Sequence, residues 1–76
     1  MRTQQYVVCL DEDLWEVCLD GQLLSVQPTR REALNVAEAL ARAAALRGER
    51  SKILAGIMDG RGSVELPAIE PEAQPA

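Results

Sequence analysis

The junction Thr29-Arg30-Arg31-Glu32-Ala33-Leu34 constrains this chain more than any other stretch of it. Thr29 carries a side-chain oxygen able to accept from an orphan N–H of a helix start, and Glu32 three residues later completes a capping box. Pro28, just before it, ends whatever strand precedes, since proline cannot donate to a sheet ladder. Strand-like patterns lie on both sides of this helix start. The order is therefore strands, one helix, strands, which belongs to the α+β class.

Gln4–Leu10 reads as a first strand, with the β-favouring Tyr6, Val7 and Val8, and Leu14–Leu19 and Gln22–Gln27 as a second and third. Asp20-Gly21 between the last two is a type I′ hairpin signal. A two-residue loop there pairs Leu19 with Gln22, Val17 with Leu24 and Trp15 with Val26. Trp15, Val17, Leu24 and Val26 then share one face, to which Tyr6, Val8 and Leu10 are added by pairing Leu10 with Trp15. The opposite face carries Val7, Cys9, Cys18 and Leu23, interrupted by Glu16 and Ser25. The helix is expected over Arg30–Arg47, with Ala33, Val36, Ala37, Leu40 and Ala44 as its core stripe and Gly48 beyond its end. Lys52–Met58 reads as a fourth strand, Asp59-Gly60-Arg61-Gly62 as a turn, and Ser63–Leu66 as a short last strand. The expected fold is α+β in the order βββαββ: a three-stranded antiparallel meander, one helix packed on one sheet face, and a C-terminal strand pair. One domain spans 1–66. Residues 67–76, with three prolines, two glutamates and no periodicity, read as a disordered tail.

A chain of 76 residues buries only roughly 60% of its unfolded surface. With no Phe, and with Trp15 and Tyr6 as the sole aromatics, its core must be aliphatic, so support from a second subunit suits it. The net charge is −4, with acidic residues gathered before Thr29 and after Lys52 and arginines between. An acidic chain is a poor non-specific nucleic-acid binder, because phosphate affinity rests on cations. It is compatible with a basic protein surface. Apolar residues near Met1 alternate with polar ones, so neither a signal peptide nor a membrane span is expected. A cytoplasmic location follows, with Cys9 and Cys18 as reduced thiols.

Catalytic chemistry has little to use. There is no His, the commonest general base and metal ligand. Ser25, Ser51 and Ser63 have no base at a recognisable spacing. Asp11-Glu12-Asp13 lacks the length and glycine of an EF-hand loop and reads as a solvated turn. Cys9 and Cys18 are not spaced as zinc ligands. Asp59-Gly60-Arg61-Gly62 lacks the Lys-Ser/Thr and following helix of a phosphate loop. No cofactor, metal or enzymatic activity is expected. The remaining signal is apolarity on two sheet faces where one helix covers only one. The expected interaction surface is Val7, Cys18 and Leu23 with Glu16, Asp11, Glu12 and Asp13. Its partner would be a protein or a second copy of the chain, without direct nucleic-acid contact and without a membrane. The alternative is a nucleic-acid accessory domain using Arg30, Arg31, Arg42 and Arg47, although Glu32 and Glu38 interrupt that face.

Tyr6-Val7-Val8, Trp15-Glu16-Val17, Thr29-x-x-Glu32-Ala33 with Ala37 and Leu40-Ala41, and Asp59-Gly60-Arg61 together resemble a small uncharacterised bacterial domain family, usually stand-alone. In that family a Trp-containing hairpin leads into a Thr-x-x-Glu-Ala helix and a strand ending in Asp-Gly-Arg. The resemblance covers about residues 4–66 and implies a fold, with no functional site. The chain departs from it near the last strand, where members often carry a His and more basic residues. In size and acidity the chain is also similar to phage-encoded inhibitors, including anti-CRISPR proteins, which bind a bacterial defence complex and block its nucleic-acid site.

Overall fold

The structure, a computed structural model, describes residues 3–57 and 62–71. Strands β1 (Thr3–Asp11), β2 (Leu14–Leu19) and β3 (Gln22–Gln27) precede helix α1 (Arg30–Leu46), and β4 (Arg50–Gly56) and β5 (Ser63–Glu65) follow it. The class and element order are those expected. The sheet is not a meander with a separate strand pair. It is one five-stranded mixed sheet in the order β3-β2-β1-β4-β5. β4 lies parallel to β1, with Tyr6 opposite Ile53 and Val8 opposite Ala55. The cause is the helix. A parallel neighbour requires a crossover, and α1, about 25 Å long at its residue count, carries the chain from edge strand β3 back across the sheet to the far side of β1.

The β1–β2 register pairs Leu10 with Trp15, Val8 with Val17 and Tyr6 with Leu19, as the alternation requires. The hairpin turn also forms as expected, with φ of 51° at Asp20 and 82° at Gly21. Beyond it the expected register fails. Leu19 still pairs with Gln22, but the ladder shifts between Val17 and Cys18, so Ser25 faces Val17, Val26 faces Glu16 and Gln27 faces Trp15. One extra residue on β3, at Leu24, inverts the alternation that follows. Ser25 and Gln27 therefore lie on the helix side, where Gln27 Nε2 donates to Ser25 Oγ at 2.7 Å. Val26 turns to the outer face, and Leu24 sits at the bulge 41% exposed; neither joins the Trp15 core.

That core joins Tyr6, Val8, Trp15, Val17 and Ile53 to Ala33, Ala37 and Ala41. The buried line of α1 is Ala33, Ala37, Ala41, Ala44 and Ala45, while Val36 and Leu40, expected at its centre, flank it half-buried. Alanines along the contact line let the helix settle on the bulky sheet residues. Gly56 serves the same close packing. A Cβ there would stand 3.0 Å from the Val8 carbonyl oxygen and 3.5 Å from the Trp15 ring.

Both ends of α1 are capped. Thr29 Oγ1 accepts from the Glu32 N–H at 3.1 Å, a cap worth about 1 kcal/mol. At the other end Gly48 takes a φ of 82°, and the N–H groups of Gly48 and Glu49 donate to the carbonyls of Ala45 and Ala44 in a Schellman arrangement.

β4 starts two residues earlier than the pattern suggested, and the chain after Leu66 does not run free. Leu66 N–H donates to the Ile53 carbonyl, Ser51 and Ile69 exchange both backbone hydrogen bonds, and Ile69 packs against the core. Arg50 Nε donates to Glu70 Oε1 at 2.7 Å. Residues 67–71, read from composition as the beginning of a disordered tail, instead line the open edge of β4. Residues 72–76 lie outside the described residues, as does most of the Asp59–Gly62 turn.

Candidate interaction surface

The sheet face turned away from α1 is built by strand alternation. Because Tyr6, Val8, Trp15, Val17, Ile53 and Ala55 point to the helix, the residues between them point outward. Pairing then sets Leu54, Val7, Cys18 and Leu23 in one row across β4, β1, β2 and β3. The next row holds Cys9, Glu16 and Val26. Val7, Cys18 and Leu54 are half-buried by their neighbours, whereas Leu23 is 50% and Val26 43% exposed. Val7, Cys18, Leu23 and Glu16 thus share one face, and the sequence missed Val26 and Leu54 as members of it. Val26 was hidden by the bulge. Leu54 joins it through the parallel pairing that makes it the direct neighbour of Val7.

Asp11, Glu12 and Asp13 lie exposed at the end of the β1–β2 hairpin, beyond the apolar rows. Glu12 holds a φ of 56°, a left-handed conformation that costs a non-glycine residue roughly 1–2 kcal/mol. Among the described residues no group of three His, Cys, Asp or Glu side chains is arranged to hold a metal ion. Both cysteines are free thiols. Cys9 Sγ lies 4.0 Å from Glu16 Oε1. Burial pushes the Cys9 thiol above its ordinary value, and nearby Cys18, Glu16 and Asp11 add to the effect. At neutral pH Cys9 is a soft apolar surface group, poorly suited to act as a nucleophile.

Several of the described cations have partners. Arg30 Nε donates to the Gly56 carbonyl at 2.9 Å, Arg47 pairs with Glu49 at 2.8 Å, and Arg42 sits 3.9 Å from Glu38. Lys52 lies 3.6 Å from Glu65 beside an open cleft of ≈ 380 Å³ formed with Arg50, Leu66, Pro67 and Ala68. Of the arginines at the helix, Arg42 and Arg47 thus face carboxylates, while Arg30, bonded to a neutral carbonyl, keeps its charge.

A polar chain closes the sheet against the helix end. Tyr6 Oη donates to Gln4 Oε1 at 2.9 Å, Gln4 Nε2 donates to Glu49, and Arg47 holds the same carboxylate. Burial raises the Tyr6 pKa, opposed by Arg47 and reinforced by Glu49 and Asp20. The folded protein thus holds the phenol proton more tightly than the unfolded chain does. Its contribution to stability is complete below the unfolded value near 10 and is lost as pH rises through the folded one. As the chain has a single Tyr, tyrosinate absorbance reads this titration directly. It should be displaced alkaline in the folded protein relative to denaturant, and an unshifted curve would show that burial of the ring does not hold the proton.

No helix among the described residues is long and apolar enough to cross a membrane. Comparisons with protein-family models, curated proteins and solved structures give no match.

Proposed function

We propose that this protein is a non-enzymatic interaction module whose outer sheet face binds a basic protein surface of the kind that itself binds nucleic acid. The supporting observation is the row Leu54, Val7, Cys18 and Leu23, with no element of the described chain laid over it and with carboxylates set around it. Glu16 stands within this surface, Asp11, Glu12 and Asp13 at one end, and Asp20 near the other. An apolar centre with charge at its rim is the usual anatomy of a protein-binding patch. The acidic rim steers encounter toward lysines and arginines. A domain of this kind can occupy a nucleic-acid groove as a competitor, which is the action of a phage-type inhibitor of a bacterial defence complex. The rival reading, an accessory domain using the helix arginines, is weakened by the carboxylates beside Arg42 and Arg47.

The test is a phage-protection assay in cells carrying an RNA-guided defence system, paired with target-DNA binding by the purified effector complex. Wild-type protein should restore plaque formation and release the DNA. Leu23→Lys and Glu16→Lys should abolish both effects while leaving the fold intact, because neither side chain belongs to the helix-side core. Failure of the wild type across a panel of such complexes, or full activity of both variants, would sink the proposal.

A further inference from the structure

The two edges of the sheet are treated differently. At one edge β5 is three residues long, and Pro67 and Pro71 follow as the chain continues along β4. Short strands and prolines of this kind prevent edge-to-edge association, and of such devices the opposite edge carries only a bulge, at Leu24. At the other edge β3 presents six residues, Gln-Leu-Leu-Ser-Val-Gln, with no charge and no proline. Its outward backbone N–H and C=O groups have no strand beside them among the described residues. From this asymmetry we infer that β3 is a self-association edge, pairing antiparallel with β3 of a second copy to form one continuous ten-stranded sheet.

The occupant is argued from the strand itself. A two-fold axis between Leu24 and Ser25 sets Gln22 opposite Gln27 and Leu23 opposite Val26. In a regular strand these pairs would point to opposite faces. The bulge at Leu24 removes that mismatch, because Leu23 and Val26 both face outward, opposite Cys18 and Glu16. Gln22 and Gln27 both face the helix side, opposite Leu19 and Trp15. Across such a seam the glutamine amides meet each other and the two apolar side chains meet each other.

Charge selects the same direction. Asp20 precedes β3 and the exposed Arg31 follows it, while Arg30 reaches back to the Gly56 carbonyl. Antiparallel pairing brings Asp20 of each copy toward Arg31 of the other, whereas parallel pairing stacks Asp20 on Asp20. Two copies, each at −4, thus meet along their uncharged strand with opposite charges at its ends.

Sedimentation velocity of the full chain over a wide concentration range is the first test, with wild type expected to shift from monomer to dimer. Leu24→Lys places like charges beside the axis and should weaken the dimer by about tenfold or more. The variant should keep its fold, since Leu24 is already 41% exposed. Hydrogen exchange of the wild type is the second test and does not depend on any variant folding. The β3 amides that point away from β2 should gain protection as concentration rises, while alkylation rates of Cys9 and Cys18 on the outer face stay constant. A wild type that is monomeric throughout, a dimer indifferent to Leu24→Lys, or protection of the cysteines in place of the β3 amides would overturn the inference. Leu23 belongs to both surfaces, so the two readings are separated by Glu16→Lys, which lies only on the face, and Leu24→Lys, which lies only at the edge: loss of partner binding with the dimer kept, or the reverse, lets either fail without the other.

Discussion

Trp15→Ala should lower stability by about 3–5 kcal/mol, the range for removing a large aromatic from a packed core. Trp15 is 4% exposed and belongs to the cluster that joins Tyr6, Val8, Val17 and Ile53 to Ala33, Ala37 and Ala41. The ring has no substitute, since the chain has no Phe and a single Trp. Alanines opposite it cannot move in to fill the space, and Gly56 beside it offers no side chain. A domain whose whole stability is on the order of 5–10 kcal/mol would be left close to unfolding. Chemical denaturation followed by circular dichroism measures the loss. A midpoint unchanged from wild type would mean that the aromatic ring is not what the helix rests on.

Ending the chain at Leu66 should cost about 2 kcal/mol or more. The estimate combines two backbone hydrogen bonds, at about 1 kcal/mol each, with part of the burial of one Ile side chain. Ser51 and Ile69 make those two bonds, and truncation would uncover the β4 edge and free Arg50 from Glu70. Ile69→Asp in the full chain isolates the side chain from the backbone pairing. Thermal unfolding of both variants gives the comparison. If the truncated protein melts with the full-length chain, residues 67–71 contribute nothing to the fold.

Local structure was largely legible in the sequence. The Thr29 cap, the Asp20-Gly21 turn, the Gly48 helix end and the β1–β2 register each follow from short-range chemistry within a few residues. What was not legible depends on distant partners. No local signal says that β4 chooses the free edge of β1 and runs parallel to it. The bulge at Leu24 has no glycine to mark it, so alternation put Leu24 and Val26 in the core and Ser25 outside. Ile69 stands between prolines and glutamates and looks like part of a tail, because its pairing with Ser51 is invisible in the pattern around it. The outer-face row was half readable. Val7, Cys18 and Leu23 came from alternation within the meander, while Leu54 required the parallel pairing and Val26 the bulge.

The parallel pairing of β1 with β4 also bears on how the chain is made. β1 is synthesised before the other four strands and is the central one in the finished sheet. Its antiparallel neighbour arrives almost at once, but its other edge stays open until residues 50–56 have been synthesised. Through that interval the growing chain carries an unpaired edge beside Val7 and Val8 and a helix whose alanine line lacks Ile53 beneath it. Nascent chains stalled before β4 should therefore be the aggregation-prone species, and those stalled after it should not.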